Sequence, residues 1–149
     1  MSDTCLQHIE DYWKIKTEAS NLLFNEGKYE EALAGYLDAL CRAEVLNNNA
    51  FNCQNLGIPY VQLYIISINN MANTYEELGD IKEADNLLKQ NIYFLLHLMS
   101  LKKKKNQNQI ESELKRATLT YFQFTEKTGG AKVNTEDVFK RLQNELSSI

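Results

Sequence analysis

"LLFNEGKYEEALAGYLDAL", residues 22–40, and "NTYEELGDIKEADNLLKQN", residues 73–91, decide how this chain folds. Each sets a glycine ahead of a Glu-Ala pair inside an apolar rhythm. Gly27 aligns with Gly79, Glu31 with Glu83 and Ala32 with Ala84, the two glycines lying 52 positions apart. In the first stretch Ala32, Leu33, Tyr36, Leu37, Leu40 and Ala43 recur at helical spacing. A glycine ahead of such a run supplies the left-handed backbone that ends one helix and lets the next begin. The small side chain that follows, Ala32 or Ala84, lets the second helix come close to the first. Tyr36 and Leu88 are the large packing partners one turn later. Elements joined by one or two residues at Gly27 and Gly79 are predicted to be antiparallel helix hairpins.

The helical reading extends outward from these turns. A first helix is predicted from about Asp3 to Glu26, with Ser2, Asp3 or Thr4 as its cap and Leu6, Ile9, Trp13, Ala19 and Leu23 inward. Lys16 interrupts that stripe. A second runs from about Tyr29 to Leu46. "NNNAFNCQNLG", residues 47–57, reads as a break, because Asn side chains compete for nearby backbone groups. A third begins at Pro59 and keeps Val61, Tyr64, Ile65, Ile68, Met71, Ala72, Tyr75 and Leu78 in register. A fourth follows Asp80, with Glu83 completing a capping-box pair, and turns Ile81, Ala84, Leu88, Ile92, Leu95 and Met99 inward. Its segment "IYFLLHLM" is expected to be the most buried, with His97 a core histidine. After the polar "LKKKKNQNQ", a fifth helix covers about Gln109 to Lys127, with Ile110, Leu114, Ala117, Tyr121 and Phe124 inward. Past the loop "TGGAKVN", a sixth starts at Asn134 or Thr135 and carries Val138, Leu142 and Leu146. No strand period occurs. The prediction is an all-α fold of about six helices in one domain, residues 1–149, with hairpins at about 3–46, 59–103 and 109–147.

Bulk properties agree. The 149 residues are 44% apolar and 24% charged, which suits a globular chain with its own core. One proline and six glycines are too few for a many-stranded sheet. No apolar run approaches the roughly 20 residues of a membrane span. The start, "MSDTCLQHIEDYW", lacks the basic end and apolar core of a secretion signal, so a cytoplasmic place and no membrane partner are expected. Cys5, Cys41 and Cys53 form no CxxC or Cys/His cluster and are expected to be small apolar fillers. The net charge of −4 divides unevenly, with −8 over residues 1–100 and +4 over residues 101–149. Such asymmetry suits head-to-tail self-contact or an acidic partner for the C-terminal part, and as often serves only solubility.

Within "EASNLLFNEGKYEEALAGYLDAL", Ala19 and Ser20 are followed by Leu23, Ala32, Tyr36 and Ala39. Met71, Ala72, Tyr75, Gly79, Ala84 and Leu88 form the second set. Together these resemble the helix-turn-helix consensus of the tetratricopeptide repeat, over residues 14–46 and 66–98. Asn91 stands where that consensus has its last Ala. The family's repeats recur every 34 residues, so 52 implies lengthened second and third helices and a longer loop between them. The plan is similar to that of small bacterial repeat proteins. The resemblance implies a right-handed stack of hairpins, with helices 5 and 6 as a degenerate third pair that closes it.

The chemistry of catalysis is missing from the pattern. His8 and His97 have no His or Cys at ligand spacing. Glu30/Glu31 and Glu76/Glu77 are neighbours on single helices, not carboxylates opposed across a cleft. There is no nucleophile elbow, phosphate loop or metal signature. No enzyme activity, cofactor or metal is expected. The Lys102–Lys105 run suits a solvated helix end. Without interleaved aromatics, and in an acidic chain, it does not suggest nucleic acid.

In the tetratricopeptide family the first helix of each pair lines a concave groove. The resemblance places Lys14, Thr17, Asn21, Phe24 and Asn25 there from the first copy. From the second it places Ile66, Asn69, Asn70, Asn73, Glu76 and Glu77. A carboxamide carries a donor and an acceptor and can grip a peptide group by both. Asn21 and Asn70 match the two Asn with which some members hold a C-terminal carboxylate. Thr17 stands where a Lys is needed, and only Arg116 serves as a later cation, so that clamp is incomplete. The expected function is a non-catalytic scaffold or adaptor that binds a peptide or helical segment of another protein. The alternatives are a structural homodimer through helices 3 and 4, and a chaperone-like adaptor for secreted cargo.

Overall fold

In the computed structural model, six α-helices make up the described part of the chain, with no strand among the described residues. These residues are 1–101 and 106–129, together with Lys140 and Asn144. The helices are α1 (Asp3–Asn25), α2 (Tyr29–Asn47), α3 (Ala50–Leu56), α4 (Tyr60–Glu77), α5 (Ile81–Ser100) and α6 (Gln107–Thr128). The all-α expectation of about six helices holds, though one member differs. The segment read as a break contains α3. The predicted sixth helix beyond Asn134 and the Lys102–Lys105 run lie outside the described residues. The chain divides into two compact units, residues 1–80 and 81–149.

In the first unit, Ser2 caps α1 by accepting from the Cys5 N–H at 3.2 Å. The sequence repeat is also a repeat of backbone hydrogen bonds. Gly27 N–H donates to Phe24 O at 3.0 Å and Lys28 N–H to Leu23 O at 2.9 Å. Gly79 N–H donates to Glu76 O at 3.1 Å and Asp80 N–H to Tyr75 O at 2.9 Å. Both glycines have positive φ, +79° and +84°. This paired pattern satisfies two carbonyls that a helix end leaves open.

Helix α2 packs against both α1 and α4. The buried stripe of α1 is Leu6, Trp13, Thr17 and Ser20. Ala19, expected inward, is exposed. The reason is helical phase: Ser20 follows Trp13 at i+7 and Thr17 at i+3 on the buried stripe, and Ala19 does not. A Cβ built on Gly35 would overlap Ser20 Oγ and stand 3.3 Å from Ser20 Cβ. Only a small side chain fits at position 20 against Gly35. Leu37 is likewise exposed, while Ala32, Tyr36, Ala39, Leu40, Ala43 and Leu46 are buried. Each fully buried Leu, Ile or Val side chain contributes about 1.5–3 kcal/mol.

Polar side chains fix the register of these helices. The Trp13 indole N–H donates to Ser67 Oγ at 2.7 Å, and the Ser67 hydroxyl donates to Leu63 O at 2.8 Å, both bonds buried. This ties α1 to α4. At the surface, the Tyr12 hydroxyl donates to Asp38 at 2.9 Å. Lys16 and Arg42 each reach Asp38 at 3.6 Å. The Arg42 guanidinium lies 4.5 Å from the Tyr12 ring centre. Such half-exposed pairs add little individually, but they link α1 and α2 about one turn from the Ser20 contact.

The short α3 forms because the Asn-rich segment also carries Cys53. Cys53 is buried, its N–H donates to Asn49 O at 3.0 Å, and its thiol lies 3.4 Å from Leu46 O. Burial, and secondarily the charge of Glu10, raise the Cys53 pKa. Of the three expected fillers only Cys53 is one; Cys5 and Cys41 are exposed thiols. They sit on the polar faces of α1 and α2, where residue type alone does not report burial.

In the second unit, α5 buries Ala84, Leu87, Leu88, Ile92, Leu95, Leu96 and Met99, and α6 buries Leu114, Tyr121 and Phe124. Gln107 Nε2 donates to Met99 O at 3.3 Å. His97 is exposed, not a core histidine. The apolar face of α5 passes through Leu95, Leu96 and Met99, which leaves position 97 outward.

Gly35→Ala sets two effects against each other. Helix propensity favours Ala by about 1 kcal/mol, and overpacking against Ser20 costs about 1–3 kcal/mol. The variant is expected to melt below the parent in thermal circular dichroism. A higher melting temperature would show that α1 and α2 are not in close contact there.

Candidate functional site

The predicted groove residues fall into two exposed stripes and an inward set. On α1, Lys14, Asn21 and Asn25 are exposed at i, i+7 and i+11. On α4, Ile66, Asn73 and Glu77 are exposed on one helical stripe, with Asn70 half-buried in line with them. Asn69 and Glu76 are half-buried on the neighbouring edge of α4. Thr17 does not belong to an open surface. It is 7% exposed, and its Oγ1 is buried with no hydrogen-bond partner. Its place on the same buried stripe as Ser20 removes Thr17 from the groove. Phe24 is half-buried and packs edge-on against Tyr29, ring centres 5.1 Å apart. The two helices that carry the stripes are joined by the Trp13–Ser67 bond.

Asn21 is held by its neighbour helix. The hydroxyl of the buried Tyr36 donates to Asn21 Oδ1. With the oxygen engaged, the Asn21 NH2 offers its two donors outward. Burial raises the Tyr36 pKa, so the donating form persists. The sequence marks Tyr36 as a packing residue only. The signal that it also orients an Asn is the need of a buried tyrosine hydroxyl for a partner. Lys14 lies 3.9 Å from Glu10, a loose pair that leaves its charge accessible. Within α4, the Asn70 carbonyl accepts from the buried Thr74 Oγ1 at 2.7 Å. The arrangement offers amide donors and acceptors beside an apolar Ile66. That suits hydrogen bonding to a peptide backbone and supplies no nucleophile or general base.

Elsewhere, no group of three or more His, Cys, Asp or Glu that could hold a metal occurs among the described residues. No helix among them is long and apolar enough to cross a membrane. In the second unit Asp85 accepts from the Tyr121 hydroxyl at 2.9 Å and pairs with Lys89 at 2.9 Å. The Tyr121 ring is fully buried, so this cluster joins α5 to α6 and does not face a ligand.

The chain belongs to the family described as Protein of unknown function (DUF2753), whose model matches residues 11–147 and so runs through both units. No curated protein and no solved structure matches it.

The Tyr121 cluster has a pH signature. Burial first, then the Asp85 hydrogen bond and charge, hold the Tyr121 pKa well above its ordinary value of 10.0. A pKa raised by folding contributes stability that is complete below the unfolded value and is lost as pH rises through the folded one. Tyr121→Phe is therefore expected to be less stable than the parent at about pH 8. The gap should narrow by about pH 11, where the unfolded tyrosine ionises. Urea unfolding at both values measures it, and a constant gap would show that Tyr121 is not held protonated by the fold.

Proposed function

We propose that this chain is a non-catalytic protein–protein interaction module. It is built on tetratricopeptide-like hairpins and works as a cytoplasmic scaffold or adaptor. Its ligand is a peptide or helical segment of a partner protein, taken against the α1–α4 face of the first unit. The observation that carries this reading is the oriented carboxamide of Asn21 on α1, with Asn25 exposed one turn later on the same helix and Asn73 exposed on α4. A stripe of amides fixed on rigid helices recognises main-chain groups at low entropic cost. Lys14 adds a cation at one end and Ile66 an apolar contact. The same stripes carry carboxamides and no histidine, cysteine or serine, which supports binding over catalysis.

Asn25→Ala with Asn73→Ala is the informative variant, since both side chains are exposed. Asn21 is unsuitable, because its removal would orphan the Tyr36 hydroxyl. Alanine favours the helix, so the variant should fold at least as well as the parent. A partner captured from native extract by the parent should be weakened by about 0.5–1.5 kcal/mol per lost hydrogen bond. Titration calorimetry on both forms reads this, and equal affinity would remove the Asn stripes from the binding face.

A further inference from the structure

The face of α1 opposite its buried stripe is apolar. Ile15 and Leu22 are each 65% exposed, and Ala19 between them is exposed. At i, i+4 and i+7 they form one continuous stripe. The internal repeat shows what such a stripe is for. Moved by the 52 residues that separate Gly27 from Gly79, these positions become Ser67, Met71 and Thr74 of α4. All three are buried. That face of α4 is turned to the first hairpin, since Ser67 accepts from Trp13 of α1, and α4 packs on α2. The position filled by a preceding helix pair at α4 is open at α1. A helix face left to solvent is ordinarily polar, and this one is not.

Charge narrows the occupant. Asp11 and Glu18 border the stripe on the same side of α1 and are exposed, and Glu26, which pairs with Lys28 at 3.3 Å, follows at the end of the helix. Lys14 and Lys16 point to the two flanks, where they pair with Glu10 and Asp38. A second copy docking through the same face would set these carboxylates against one another, which is costly. We propose that the Ile15–Ala19–Leu22 face of α1 is a stacking edge that receives an amphipathic helix of a partner protein. The partner helix has an apolar, small-residue seam like that of α2 and is flanked by Lys or Arg. This surface is separate from the Asn stripes and stands independently of the function proposed for them.

The probe is a fluorescein-labelled peptide of residues 29–47, the α2 sequence, carrying Glu30→Lys, Glu31→Lys, Asp38→Lys and Glu44→Lys. The unchanged acidic peptide is its control. Fluorescence anisotropy should show saturable binding of the basic peptide to the full chain below about 1 mM. Binding should weaken by roughly tenfold in Ile15→Ser with Leu22→Ser, and also in Asp11→Lys with Glu18→Lys. The acidic peptide should bind detectably less. Circular dichroism melting confirms that both variants fold. Absence of saturable binding, or equal binding by the Ile15→Ser/Leu22→Ser variant, would overturn the proposal. A dimer seen by sedimentation in the parent and lost in that variant would also overturn it, because the face would then belong to a second copy.

Discussion

The indole N–H of Trp13 is the polar group on which the arrangement of the first unit depends. Apolar burial draws helices together but is not directional, so it does not by itself choose which turn of α1 lies beside which turn of α4. A buried indole N–H must find an acceptor, and Ser67 supplies one at 2.7 Å. The Ser67 hydroxyl proton is used in turn on Leu63 O. The relay satisfies each donor in a dry site, and an unmatched register would leave the indole unpaired at a cost of about 1–3 kcal/mol. With α1 and α4 fixed in this way, the Asn residues of both helices acquire a defined relation within one unit.

Two different surfaces of α1 follow from this placement. One side presents Lys14, Asn21 and Asn25, with Asn21 oriented by Tyr36. The other presents Ile15, Ala19 and Leu22 among carboxylates. The Gly27 and Gly79 turns make the same backbone bonds, yet the helices before them meet different surroundings. Ile15, Ala19 and Leu22 are exposed on α1, while their counterparts Ser67, Met71 and Thr74 are buried on α4, where Trp13 bonds to Ser67. The same backbone device thus recurs with unequal burial of the helix that precedes it.

Much of the fold was legible because glycine turns and helical periodicity are local signals. The bounds of α1, α2, α4 and α5 follow from Gly27, Asn47–Asn49, Pro59 and Gly79. The helix α3 was not legible, since its Asn content argues for turns while Cys53 anchors it through a contact with Leu46 that lies outside the segment. The inward face of α1 was misread at Ala19. An apolar count favours Ala19 over Ser20, and the phase of the buried Trp13 and Thr17 reverses the choice. Of the groove residues that the tetratricopeptide resemblance implies, Lys14, Asn21, Asn25 and Asn73 are exposed. The burial of Thr17 and the bond from Tyr36 to Asn21 required tertiary structure. The exposed Ile15 and Leu22 drew no notice in the sequence, because single apolar residues on a surface are ordinary and their meaning rests on comparison with Ser67 and Thr74.

The joint between α1 and α4 is tested most directly by a double-mutant cycle of Trp13→Phe and Ser67→Ala, read as stability from urea unfolding. With Trp13 present, Ser67→Ala orphans a buried N–H and should cost about 1–3 kcal/mol. With Phe at position 13 the same change should cost much less, giving a coupling energy of at least about 0.5 kcal/mol. Equal costs in the two backgrounds would contradict the account, because the two side chains would then not hold α1 and α4 in register.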